Sequence, residues 1–158
     1  MLRPMLLSTI SVSAFAAMLA AANAAPAQDG APALLDPRYA DCVEFVNADL
    51  ELGRIAAQQW VTDGGGPEAH HCLAVANLKA GFPKLAALEL EDLAQRKDAG
   101  DDYVRARLYS QAAEAWLAAN ETAYAKKALD QALALVPDSA ELFLTAAKVY
   151  AAEERWQI

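Results

Sequence analysis

The chain has 158 residues, 56% of them hydrophobic, with 21 acidic and 13 basic side chains for a formal net charge of −8. That length suits one small domain. The sparse, scattered Lys and Arg argue against nucleic acid or anionic membrane surfaces as partners, because both recruit concentrated positive charge.

Much of the apolar excess lies at the start. Residues 1–24 carry one basic residue, Arg3, then an apolar run from Leu6 to Ala22, then Ala22-Asn23-Ala24. This is the pattern of a secretory signal peptide, and cleavage is expected after about Ala24. Ala25-Pro26-Ala27 is a second candidate site. An uncleaved anchor is the alternative, disfavoured because the alanine-rich run falls short of the ~20 strongly apolar residues that a span prefers. No cysteine lies near the site, so a lipoprotein is not indicated. Loss of Arg3 leaves 12 basic against 21 acidic side chains, a charge of −9. The expected location is the Gram-negative periplasm or the exterior, with no membrane span in the mature chain.

Residues 25–35, rich in Ala, Pro, Gly, Gln and Asp, read as a flexible leader. Residues 36–62 form a first pair of helices. Asp36-Pro37 opens one with Tyr39, Cys42, Val43 and Val46 on a face, and the other runs from about Asp49 to Trp60 with Leu52, Ile55, Ala56 and Trp60 as its stripe. Residues 67–97 form a second pair: Pro67 and Glu68 start a helix that Gly81 ends, and Phe82-Pro83 starts another carrying Ala86, Leu90, Leu93 and Ala94 at i, i+4, i+7 and i+8. A polar loop, Lys97 to Asp102, follows.

Residues 102–137 and 138–158 then write one pattern twice. Tyr109, Ala112, Ala113 and Trp116 share a helix face at i, i+3, i+4 and i+7 and recur 34 residues on as Phe143, Ala146, Ala147 and Tyr150. Between the copies lie Ala125, Leu129 and Ala132, then Pro137. Alanines at the centre of a face let a neighbouring helix approach to roughly 8–10 Å, with aromatics filling the wider gaps at either end, so all these residues are expected in the core. Ala86, Leu90 and Leu93 imitate Ala125, Leu129 and Ala132 at an offset of 39.

The order aromatic-x2-small-small-x2-aromatic, A-x3-L-x2-A, P resembles the tetratricopeptide repeat, a two-helix unit of that period. The expected fold is all-α: a right-handed solenoid of helical hairpins with about seven helices in about three and a half repeats. Glu153-Glu154-Arg155-Trp156 resembles the turn into a further second helix. Two readings stay open there: the last first-helix lacks its partner, or Ile158 is not the natural end.

Catalytic signatures are missing. The two histidines are adjacent, and H-E-x-x-H, G-x-S-x-G and the P-loop are absent, so no enzyme activity and no cofactor are expected. His70 and His71 point about 100° apart on a helix, so at most one joins Cys72 and Cys42, which leaves a metal site without a fourth ligand. Cys42 and Cys72, the only cysteines, fall on the first helices of successive pairs. A disulfide is favoured in a secreted chain, and two separate buried thiols are the alternative.

The resemblance implies a protein or peptide partner bound along the surface of the first helices. Carried over by position, the partner-binding residues are Arg107, Ser110, Glu114 and Leu117, then Glu141, Leu144 and Lys148. Relatives that clamp a C-terminal carboxylate would match at Ser110, Glu114, Thr145 and Lys148, but Glu114 would repel a carboxylate. An alternative role is a structural or assembly segment of a longer envelope protein, with the open edge near Trp156 packing on a further helix.

Overall fold

The computed structural model describes residues 36–154, whose regular elements are all helices. Their elements are α1 (Arg38–Ala48), α2 (Leu50–Thr62), α3 (Gly66–Lys79), α4 (Pro83–Gln95), α5 (Asp102–Ala118), α6 (Thr122–Leu135) and α7 (Ala140–Glu154), with a short 3₁₀ turn at Lys97–Ala99. No strand occurs among the described residues. The expected signal segment, the leader and the edge at Trp156 lie outside them.

Each helix packs on the next in sequence, and α1 also packs on α3 and α5 on α7. The boundaries have local causes. Asp49 and Asp101 cap α2 and α5 by accepting from the backbone N–H of Leu52 and Val104, which satisfies donors that the first turn leaves free. Prolines at the first positions of α3 and α4 cost nothing where no intrahelical N–H bond is due.

The connections α3–α4 and α5–α6 repeat one turn. Gly81 (φ 80°) and Asn120 (φ 59°) hold left-handed backbone just past the helix ends. The next residues, Phe82 (φ −107°, ψ 59°) and Glu121 (φ −106°, ψ 66°), have nearly the same dihedrals. Their N–H groups close on Asn77 O and Trp116 O at 2.9 Å each, the six-to-one bond of a Schellman ending. Corresponding residues are 39 apart, the offset between the two Ala-x3-Leu stripes.

The main core runs from α3 to α7 and is built around alanines. Tyr109 and Trp116 are 7% and 5% exposed, and Ala112, Ala113, Ala125, Leu129 and Ala132 are completely buried. Trp116 stacks on Tyr124 with centroids 4.9 Å apart and donates its indole N–H to Glu91 at 3.1 Å. A smaller core holds Val46, Ala57, Cys72, Leu73 and Ala76.

Three expectations of burial fail. Phe143 and Tyr150 are 56% and 44% exposed, and Ala147 is also exposed while Ala146 is half-buried. No helix among the described residues covers that face of α7 as α6 covers α5, so α7 buries Leu142, Thr145 and Val149 instead. Pro137 ends up exposed because it serves only as a stop beyond α6. On α2 the stripe is rotated by one residue: Leu52 and Ile55 are 52% and 53% exposed, and Gly53 and Ala57 are buried.

Candidate functional site

The odd-numbered helices share a row of polar contacts. It begins at α1, where the Tyr39 hydroxyl meets His71 Nδ1 on α3 at 2.7 Å. His71 Nε2 lies 2.9 Å from Gln111 Oε1 on α5. With the amide oxygen facing the ring, Nε2 carries the proton and donates, and Nδ1 accepts from the Tyr39 O–H. Burial lowers the pKa of His71, the bond to Gln111 opposes that shift, and the positive charge of Arg107 adds to it. Burial likewise raises the Tyr39 hydroxyl, which keeps it a donor.

From α5 the row continues to α7. Arg107 Nε donates to Glu141 Oε1 at 3.2 Å, Tyr103 O–H reaches Glu141 Oε2 at 3.4 Å, and Lys148 Nζ donates to Glu114 Oε1 at 2.5 Å. Both ion pairs are about half exposed, so each contributes at most ~1 kcal/mol. Their main effect is geometric, tying α5 to α7 along one surface. Both join positions 34 residues apart.

The structure therefore brings four of the seven sequence-named residues, Arg107, Glu114, Glu141 and Lys148, into direct contact across α5 and α7. Leu144 is exposed on α7 and Leu117 is half-buried near the end of α5. Ser110 differs from expectation. It is buried, and its hydroxyl bonds Thr145 Oγ1 at 2.8 Å, because the buried edge of α7 presents Thr145 to α5. Ser110 is thus a helix-packing contact between α5 and α7.

A cleft of about 710 Å³ opens at the end of this row, lined by Leu117, Asn120, Thr122, Ala147, Lys148, Ala151 and Ala152. Its lining is three alanines and one leucine, with Asn120, Thr122 and Lys148 as the polar residues. Such a site suits an apolar side chain with polar atoms at its rim.

The two histidines diverge. His70 Nδ1 pairs with Glu89 on α4, while His71 turns toward α1 and α5. Among the described residues no three His, Cys, Asp or Glu side chains gather as a metal site. No helix among those residues is long and apolar enough to cross a membrane. Cys42 and Cys72 form a disulfide, with Cα atoms 6.4 Å apart.

Gln111 and Tyr103 have no distinguishing mark in the sequence. The two ion pairs do have one: Arg107 with Glu141, and Glu114 with Lys148, are opposite charges spaced at the repeat period. Comparison with known proteins finds no matching family model, no matching curated protein and no matching solved structure.

Proposed function

We propose that this protein is a non-enzymatic scaffold of the tetratricopeptide type, a right-handed solenoid that binds a protein or peptide along its odd-numbered helices in the bacterial envelope. The observation that carries the reading is the cleft at the end of the α5–α7 row. It is lined by Leu117 and Lys148, two of the positions that the repeat pattern assigns to partner contact. The 39-residue recurrence of the turn geometry supports the repeat, and the disulfide is compatible with a periplasmic or extracellular location. The 34-residue recurrence of sequence gives the same period as the named family.

A photo-reactive amino acid placed at Leu117, Leu144 or Lys148, and at Asp130 on α6 as a control, tests this in cells. A discrete crosslinked species at the first three positions and none at Asp130 is expected. Absence of any crosslink at all three would overturn the reading.

The outer face of α7 favours a second reading, in which the repeats are an assembly segment that receives another helix. Phe143 and Tyr150 stand 34 residues after Tyr109 and Trp116 yet remain uncovered. A synthetic helix carrying the Thr122–Leu135 stripe, added in trans, should raise the melting temperature of the wild type and fail with Phe143→Ser/Tyr150→Ser. An unchanged melting temperature at saturating peptide counts against it.

A further inference from the structure

His71 occupies a position that partner binding does not explain. It is a single half-buried ring bonded on one side to α1 and on the other to α5, from the middle element α3. The charges around it are one-sided. Arg107 is the charged group acting on the ring, and the two acids in that row are already paired, Glu141 with Arg107 and Glu114 with Lys148. On α3 itself His70 turns away to Glu89 and Cys72 is closed into the disulfide. The hydroxyl of Tyr39 faces the ring from α1 and the amide of Gln111 from α5. Neither α2 nor α4, which also pack on α3, sets a charge against it.

We propose that His71 is a proton-operated latch between α1 and the α5–α7 layer. Neutral, the ring accepts from Tyr39 and donates to Gln111, so both neighbours are held. Protonated, it has no lone pair for the Tyr39 hydroxyl, which must reverse its role, and it stands as a second cation beside Arg107. The cost falls on the Tyr39 contact in the first turn of α1, whose loosening returns the ring to water while the Cys42–Cys72 bridge keeps the rest of α1 attached.

The direction of the pH dependence follows. The closed state holds the neutral ring, so the opened state takes up the proton first. The contribution of the latch is complete above about pH 6.5, the value of a histidine in water, and is lost as pH falls through the lower pKa of the closed state.

Two measurements test this on the whole protein. The first is an NMR titration of the histidine rings in wild type and Arg107→Gln, with His71→Gln assigning the resonance. The His71 midpoint is expected below that of a free histidine and should move up in Arg107→Gln. An unmoved midpoint would overturn the role of Arg107 and with it the latch. The second is hydrogen exchange of α1 amides, corrected for intrinsic rates, between about pH 7.5 and about pH 5. Protection should fall below about pH 6.5 in wild type, by at most about tenfold per pH unit, and stay level in His71→Gln, whose side chain does not titrate. The same slope in His71→Gln would refute the latch. Neither measurement involves a partner, so a failure here is separate from a failure of the binding reading.

Discussion

A glycine in the middle of a helix usually weakens it by about 1 kcal/mol relative to alanine. Gly53 in α2 is different because its missing side chain is where α1 sits. A Cβ there would lie 2.5 Å from the Cα of Val46 and 2.7 Å from its nitrogen, both backbone atoms that cannot step aside. Gly53→Ala is therefore expected to destabilise the protein by about 1–3 kcal/mol, as overpacking does, despite the better helix propensity. Urea denaturation measures it, and a stabilised variant would show that α1 and α2 do not approach this closely. Asn120 predicts the opposite sign for the reverse exchange. Its φ of 59° is strained for a side chain with a Cβ, so Asn120→Gly should leave stability unchanged or raise it. Asn120→Ala, lacking the amide that makes asparagine tolerant there, should lose about 1 kcal/mol.

At the level of the helix, burial depends on the neighbour as much as on the pattern. Tyr109 and Trp116 are buried in the larger core, and Trp116 has both a stacking partner on α6 and an acceptor on α4 for its indole N–H. Phe143 and Tyr150 repeat the same letters but stay about half exposed, with the Lys126 ammonium of α6 lying 5.6 Å from the Tyr150 centroid. Trp116→Ala should cost about 3–5 kcal/mol, whereas Tyr150→Ala should cost no more than about 1 kcal/mol, the size of its exposed contact with Lys126. Equal losses in denaturation experiments would mean that α7 is covered in solution. The same contrast explains what could be read from the chain beforehand. Periodicity located the seven α-helices of the described residues, and the short-range signals at Pro67, Gly81 and Pro83 marked ends, because capping and turn chemistry are local. Phase was less secure. On α2 the larger side chains Leu52 and Ile55 suggested one face, but the close approach of α1 selects Gly53 and Ala57, about 100° around the helix. Burial of the repeat aromatics in α7 could not be inferred from α5, since no helix among the described residues stands over α7 as α6 stands over Trp116. Among the site residues, Arg107, Glu114, Glu141 and Lys148 were placed on a common surface by the repeat. Their mutual pairing and the inward turn of Ser110 depend on how α5 and α7 meet.

Across the whole described region, the two cores differ in what holds them. The larger one spans α3 to α7 and closes through many alanine contacts. The smaller one, between α1, α2 and α3, has Val46, Ala57, Leu73 and Ala76 as its fully buried apolar members besides Cys72. Helix α1 contributes one buried residue, Val46, so its attachment rests on the disulfide, the Tyr39–His71 bond and the Arg38 guanidinium lying 5.0 Å from the centroid of Trp60. The cross-link spans 30 residues, for which loop closure in the unfolded chain corresponds to about 3.5 kcal/mol. That exceeds the ~1.5–3 kcal/mol of the one valine that α1 buries completely, beside which Tyr39, Cys42 and Val43 pack only in part. Reduction should therefore act unevenly. In a Cys42→Ser/Cys72→Ser variant, amides of α1 and the first half of α2 are expected to lose most of their protection from hydrogen exchange. Those of α4, α5 and α6, which make no contact with the bridge and draw on the larger core, should keep theirs up to the reduced global stability. Uniform loss across all helices would show instead that the two cores form one cooperative unit, with α3, which contributes to both, transmitting the change.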